Sequence, residues 1–258
     1  MLLILLAGCE YLEEQRETPA FVYYGGTVLS DPADSSALLT DGELRFRDDA
    51  GEVFVDDDGE PLDEAERPYA DSSPGYWRAQ VPADVPFQLT VAPAADGYPA
   101  VFRGRTPSGD GVWFTSFVFS WPQIALDEHV ASMGEQLGAE PTVLSESGLV
   151  HLWGSFYLPE AAPGDLVVTD GAGNVVDVHY WVVVDEDTDD QDDETLAAFA
   201  PGAVDPELIE PATAAPVTWF TAFDLEPGEI TITSGELSET YTAEAGSVVT
   251  PAFFYVEP

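Results

Sequence analysis

Residues 164–175 read GDLVVTDGAGNV, and residues 42–53 read GELRFRDDAGEV. The two stretches share the pattern Gly-acidic-Leu-x-apolar-x-Asp-x-Ala-Gly-x-Val. Each predicts a strand, a tight turn at Ala-Gly and a return strand, because apolar residues stand on either side of turn-forming residues. Such a recurrence predicts that the chain of 258 residues contains an internal duplication.

Three further markers occur in the same order in both copies. They are an aromatic-Gly pair that opens a strand (Tyr24-Gly25 and Trp153-Gly154), a Trp-containing pair that leads to an alternating strand (Tyr76-Trp77 to 87–91, Thr218-Trp219 to 229–233) and a closing aromatic run (117–119 and 253–255). Short strands bounded by turn formers favour a sandwich or a barrel. We therefore predict two β domains, residues 21–120 and 148–258.

The segment between the copies has the period of a helix. From residue 120 to residue 138 its large apolar positions recur at the spacing of one helix face: Leu126, Val130, Met133 and Leu137. Gly138 suits the end of such a helix. We predict one short helix within a helical linker, residues 121–147.

The order of these markers resembles that of transthyretin-like, carboxypeptidase-regulatory-type sandwich domains, which have an Ig-like architecture. Residues 225–232, LEPGEITI, are similar to the family's Pro-Gly turn into an alternating strand, whereas the first copy has VPADVP at 81–86. The resemblance covers residues 21–120 and 148–258. It implies an all-β chain of two tandem sandwiches joined by one short α-helix. It also implies a non-catalytic accessory or adhesive role, and it carries no functional residues.

The charge balance excludes some classes of function. The chain has 49 Asp plus Glu against 7 Arg and no Lys, which gives a net charge of −42. Because such a polyanion cannot bind along phosphate groups, nucleic acid and acidic lipid headgroups are excluded as partners. With 45% apolar and 12% aromatic residues, the chain can nevertheless bury a core. Carboxylates without ion-pair partners repel each other at low salt, so we expect a halophilic protein.

The N-terminal residues predict export. The apolar run of residues 1–9 ends in Leu6-Ala7-Gly8-Cys9, which resembles the lipobox of bacterial lipoproteins. The resemblance implies the end of a signal peptide at 1–9, an acyl membrane anchor at Cys9, and a polar tether at residues 10–20. It implies a location that is outer membrane-anchored, periplasmic or at the cell surface. An apolar N-terminus with an incidental thiol is the alternative. A single cysteine predicts a fold without disulfides.

The three histidines are the first candidates for chemistry. His129 lies on the predicted helix, where a solvated edge is the favoured interpretation. His179 alternates with Asp177 and Trp181 on one strand, and together with His151 it offers the ligand types of a metal site. The favoured interpretation of both strand histidines is the polar outer face of a sandwich. The sequence has no Gly-x-Ser-x-Gly elbow and no phosphate-binding Gly loop, so we predict a protein that is not an enzyme.

Two acidic clusters are candidates for cation binding. The larger, residues 185–194, begins an acidic insertion that we place at 185–216, and the smaller is Asp56-Asp57-Asp58-Gly59-Glu60. A solvated insertion is the favoured interpretation of the larger cluster, since it lacks the Gly and Glu of a calcium loop. Weak calcium binding is the alternative, at Asp185, Asp187, Asp189 and Asp190. No other cofactor is predicted.

The tryptophans offer one more binding hypothesis. Five of them are candidates for a sugar-stacking platform or for the core of a sandwich, with the core favoured: Trp113, Trp121, Trp153, Trp181 and Trp219. The sequence as a whole predicts a lipid-anchored envelope protein that acts as a structural, adhesion or accessory module. Its partner is an envelope protein or a polysaccharide. The alternatives are a carbohydrate- or calcium-binding lipoprotein and, less favoured, a hydrolase.

Overall fold

The computed structural model describes eleven stretches of the chain: residues 21–29, 38–39, 42–48, 76–93, 97–104, 113–119, 121–156, 166–183, 209–211, 219–235 and 237–253. Most of these residues lie in strands and only two short segments are helical, so the expected all-β class is confirmed. No helix within these stretches is long and apolar enough to cross a membrane.

In the first half of the chain, the described strands precede two helices. The strands are β1 Phe21–Leu29, β2 Gly42–Asp48, β3 Tyr76–Pro82, β4 Phe87–Pro93, β5 Gly97–Tyr98, β6 Ala100–Gly104, β7 Trp113–Phe119 and β8 Trp121–Pro122. The helices that follow are α1 Gln123–Leu137 and α2 Leu144–Ser147. Helix α1 confirms the periodicity of residues 120–138, whereas the sequence analysis does not predict α2.

The described residues of the second half form ten strands. They are β9 Val150–Phe156, β10 Leu166–Thr169, β11 Val175–Val176, β12 His179–Val183, β13 Ile209–Pro211, β14 Trp219–Leu225, β15 Gly228–Ser234, β16 Leu237–Ala243, β17 Val248–Val249 and β18 Ala252–Phe253. Strands β10 and β11 and the turn between them form the hairpin predicted for residues 164–175. Asp170 organises its turn, since Oδ1 accepts hydrogen bonds from the backbone N–H groups of Ala172 and Asn174.

The same pairings recur in the two halves. In the first, β1 pairs antiparallel with β3 and parallel with β7, while β4 lies between β2 and β6 with both pairs antiparallel. In the second, β9 pairs antiparallel with β14 and parallel with β17 and β18, while β15 lies between β10 and β16 with both pairs antiparallel. The recurrence follows the order of the sequence markers.

One sheet passes through both halves. Its order is β13-β12-β14-β9-β17-β6-β4-β2, and β17 joins the halves because it pairs in parallel with β9 on one side and with β6 on the other. Val248 is the register partner of His151 on β9 and of Ala100 on β6. The domain bounds at 120 and 148 stay a prediction.

Helix α1 contributes to the core. Its residues Leu126, Val130 and Met133 are buried in a cluster with Trp181 and Trp219. In the sheet next to α1, the ring of Phe220 lies directly against the backbone of Gly154. A Cβ on Gly154 would lie only 2.0 Å from that ring. Gly154 and Phe220 are register partners in β9 and β14, so this glycine admits the ring of its partner. The Gly of the Trp153-Gly154 marker therefore has a packing function.

Candidate functional site

A side chain of the first half pairs with the backbone of the second half like an added strand. Gln88 on β4 is 4% exposed, and its Nε2 donates a hydrogen bond of 2.7 Å to the carbonyl oxygen of Thr242 on β16. The backbone N–H of Thr242 donates an equally short bond to Oε1 of Gln88. The amide therefore satisfies both backbone groups of Thr242 on the edge of β16 that does not face β15.

Arginines of the first half extend this contact. Arg103 Nη1 donates to the carbonyl oxygen of Thr240 at 3.2 Å, and Arg47 Nη2 donates to Oε1 of Glu244 at 3.0 Å. Arg45 Nη1 lies 3.6 Å from the same Glu244 oxygen. Because the side chain of Glu244 is 60% exposed, each of these ion pairs is worth only about 0.2–1 kcal/mol. The arginine contacts with Glu244 are therefore weak, whereas the Gln88 side chain that makes the two short hydrogen bonds is buried.

Backbone bonds complete this region, which we call the inter-half junction: Gln88 and Arg103 with β16, the two arginines with Glu244, and β17 with β6. The N–H of Val248 donates to the carbonyl oxygen of Pro99 at 2.8 Å. Thr250 donates to the carbonyl oxygen of Val101 from both its backbone N–H and its hydroxyl. The junction thus combines ladder, side-chain and ionic contacts between sequence-distant strands.

A second polar site lies where β9 meets the segment after α1. His151 is 2% exposed, and Asp224 reaches it from a bulge of β14 at which the register shifts and φ of Asp224 is 57°. The backbone N–H of Asp224 donates to Nδ1 of His151, so Nε2 carries the proton and donates to the carbonyl oxygen of Thr142 at 2.7 Å. The N–H of Thr142 in turn donates to Oδ1 of Asp224 at 2.8 Å. Three hydrogen bonds therefore close a ring.

Burial favours the neutral form of His151. Burial lowers its pKa, and the Thr142 carbonyl and the Asp224 charge only partly offset that effect. Both ring nitrogens are bonded to backbone groups, which leaves neither for proton transfer or metal binding. The expected polar outer face for His151 is therefore wrong, because the segment that contains Thr142 and the ring of Phe223 cover this side chain.

A shallow groove of about 390 Å³ adjoins this ring, and we call it the His179 groove. It is lined by Leu137, Ala139, Glu140, Pro141, Val175, Val176, Asp177, His179, Phe223 and Asp224. The ring of Phe223 stacks on His179 and meets His151 edge-on. Burial lowers the pKa of His179, and the charge of Asp177 partly opposes this. Asp177 precedes β12 rather than sharing a strand face with His179.

The remaining predicted sites divide into those corrected and those not described. Among the described residues no three His, Cys, Asp or Glu side chains come together as a metal site, so the structure does not bring Asp177, His179 and His151 together as one. His129 is 5% exposed and packs edge-on against Trp153, which corrects its expected solvated edge. The structure does not describe Cys9, residues 56–60, or the proposed calcium ligands Asp185, Asp187, Asp189 and Asp190.

The tryptophans with described side chains belong to the core. Trp153, Trp181 and Trp219 are buried, and Trp181 Nε1 donates to Oγ1 of Thr221 at 2.8 Å. None of these three offers an exposed face for sugar stacking. The side chains of Trp113 and Trp121 lie outside the described residues.

Sequence reasoning singled out His151, His179 and Asp177 but not the other residues that build these sites. Gln88 alternates with buried Phe87 and Leu89, so period two assigns it to the outer face. Thr142, Phe223 and Asp224 carry no pattern, since a bulge and a loop place them. The available signal was the concentration of all arginines at or before Arg105, which separates the positive groups from the acidic second half.

Comparisons with known proteins find only distant resemblances. No protein-family model matches the chain, and no curated protein matches it. Among solved structures it is similar to BcpA, the major pilin subunit of Bacillus cereus, with 10% identity, 90% of this chain and 69% of that chain covered, and a TM-score of 0.25. It is also similar to GBS52, the minor pilin of Streptococcus agalactiae, with 8% identity, 92% and 98% covered, and a TM-score of 0.20. For the shaft pilin SpaA of Lactobacillus rhamnosus GG the values are 7%, 93% and 99%, and 0.20. Likenesses at these TM-scores carry no argument about function.

Proposed function

We propose that this chain is a non-catalytic envelope protein, anchored by an acyl group at Cys9, that serves as a structural, adhesion or accessory module. Two tandem transthyretin-like sandwiches joined by the helical segment form its body in this proposal. The inter-half junction is the observation that supports it. A module that spaces or presents other components needs fixed geometry, and a buried amide bridge between halves is a means of fixing it.

The described polar sites favour this role over a hydrolase. His151 has both nitrogens bonded to backbone, so it is not available as a general base. Glu140 and Asp177, which line the groove beside His179, are exposed, whereas a carboxylic acid that works as a general acid needs a desolvated site. These features describe a framework rather than a reaction centre.

Distance measurement between the halves tests the structural role. Spin labels at Ala92→Cys and Glu229→Cys, in a Cys9→Ser background, report the separation of the halves by pulsed electron paramagnetic resonance. We expect one narrow distance distribution that broadens when Gln88→Met is added. A broad distribution in the parent protein would show that the halves move independently and would refute a rigid spacer.

Lipid anchoring needs its own experiment. Growth with an alkyne-tagged fatty acid should label the full-length protein and leave Cys9→Ser unlabelled, and the labelled form should sediment with membranes. An unlabelled native protein that retains residues 1–8 would refute the anchor. The envelope location, at the outer membrane, in the periplasm or on the cell surface, follows from the same fractionation.

Adaptation to salt is part of the proposal. A net charge of −42 repels itself at low ionic strength, and the Debye length falls to about 3 Å at 1 M salt. We expect the melting temperature to rise as NaCl increases from about 0.05 M to about 2 M. A melting temperature that does not depend on NaCl concentration over that range would count against a halophilic protein.

Calcium binding at the acidic cluster is tested by calorimetric titration. If Asp185, Asp187, Asp189 and Asp190 bind calcium, deletion of residues 185–194 abolishes the heat of binding. An unchanged heat after the deletion removes this alternative.

A further inference from the structure

We propose that the His179 groove binds an extended segment of a partner protein that carries lysine or arginine side chains. The inference rests on the proposed function as an interaction module and names the chemistry of its partner. Three features of the groove support it: an apolar lining, an acidic rim and an adjacent strand at the edge of a sheet.

The apolar lining of the groove includes a valine that is largely exposed to solvent. Val175 is 73% exposed, and among the described residues only Val167 is another large apolar side chain classed as exposed. Pro141 and Phe223 are half-buried and continue the apolar surface into the groove. An apolar surface rimmed by polar groups is typical of a binding groove.

The rim determines the sign of the partner's charge. Glu140 and Asp177 are exposed, Asp224 is half-buried, and none of the described residues that line the groove is an arginine or a lysine. No lysine or arginine follows Arg105 in the sequence, so residues 106–258 supply no permanent positive charge. Lysine and arginine side chains combine an apolar stem with a cationic tip, which matches an apolar lining under an acidic rim.

The adjacent strand favours an extended segment. Strand β11 ends its four-stranded sheet and, among the described strands, pairs only with β10. An extended peptide that lies along a strand edge places alternate side chains towards the same groove. A segment in which lysines alternate with valines therefore directs its cationic side chains to one side.

The test uses the full chain and two short synthetic peptides, one alternating Lys with Val and the other alternating Glu with Val. Amide chemical shifts from isotope-labelled protein report the site, and calorimetry reports the affinity, at about 0.15 M and about 1 M NaCl. We expect the Lys peptide to shift resonances of Val175 and Phe223, and we expect the Glu peptide to leave them unchanged.

Matched variants separate the groove from general attraction to an acidic protein. Glu140→Gln/Asp177→Asn removes two charges from the rim and should weaken the Lys peptide about tenfold. Glu128→Gln/Glu229→Gln removes two charges from exposed positions outside the groove and should weaken it less than about twofold.

Equal loss in the two double variants would overturn the proposal, since the peptide would then sense only net charge. Shifts absent from Val175 and Phe223, equal binding of the Glu peptide, or displacement of the Lys peptide by a neutral polysaccharide would also overturn it. The spin-label distances depend on the inter-half junction and not on the groove. Failure of the groove is therefore distinguishable from failure of the proposed structural role.

Discussion

The junction hydrogen bonds predict the effect of replacing Gln88 with methionine. Methionine retains nearly the same volume and length, so packing on β4 changes little. It cannot bond with Thr242, whose N–H and carbonyl oxygen both lose a partner 2.7 Å away. The variant thereby isolates the polar contribution of the junction.

The size of the effect depends on how far water replaces the amide. A buried backbone group left without a partner costs about 1–3 kcal/mol, so two such groups set an upper range of about 2–6 kcal/mol. Gln88 is buried, but Thr242 is only half-buried, so water can reach part of the exposed edge. We therefore expect a loss of about 2 kcal/mol in the free energy of unfolding.

Urea unfolding monitored by tryptophan fluorescence and circular dichroism measures this loss. Gln136→Met is the matched control, because it makes the same change at an exposed position of α1 and should stay within about 0.5 kcal/mol of the parent. If Gln88→Met and Gln136→Met destabilise the protein equally, the amide bridge does not stabilise the junction and the reasoning fails.

Three further predictions follow from the polar contacts. Glu244→Gln should cost less than about 1 kcal/mol at low salt and nothing measurable at about 1 M NaCl, because its arginine pairs are exposed; a loss that persists in salt would contradict this. Burial lowers the pKa of His151, so the unfolded chain binds the proton more readily, and stability should fall as pH drops below the unfolded-state pKa of about 6.5. His151→Gln should therefore flatten the pH dependence of the urea midpoint between about pH 7 and pH 5. Parallel profiles of the parent and the variant would refute the role of His151 in this pH dependence. Asp170→Ala should cost about 2 kcal/mol at neutral pH. Burial alone would raise the pKa of Asp170, but hydrogen bonds led by those from Asn174 outweigh this effect and lower the pKa. The stabilisation that the Asp170 carboxylate gives is therefore lost as pH falls through 3.8 and below. An unchanged thermal midpoint of Asp170→Ala at about pH 7 would exclude the role of Asp170 in the turn.

The predictable part of the fold was local in the sequence. The helical period of residues 120–138 reports burial on one side of a single element, and the structure buries Leu126, Val130 and Met133 accordingly. The hairpin of residues 164–175 is likewise determined by its own turn, in which Asp170 accepts bonds from residues two and four positions later. Such features require no knowledge of distant partners.

The unpredicted part depends on contacts between distant segments. Gln88 and Thr242 are 154 positions apart, and no property of the strand 87–91 indicates that its polar face meets another strand edge. His151 is a polar residue between apolar neighbours, as in an exposed strand position, but Thr142 and the distant residue Phe223 cover it. Period two separates two faces of a strand and does not show which of them is covered.

The chemistry of the junction fits a molecule of this charge. Attraction between Arg47 and Glu244 weakens as salt increases, whereas self-repulsion of the whole chain weakens at the same time. The uncharged Gln88 amide depends little on ionic strength, and so does the parallel pairing of β17 with β6. A junction carried mainly by these neutral contacts therefore keeps the halves aligned in high salt, where arginine pairs alone would not. A glutamine at this buried position also avoids the desolvation cost that a further arginine would bring, which fits the structural role proposed above.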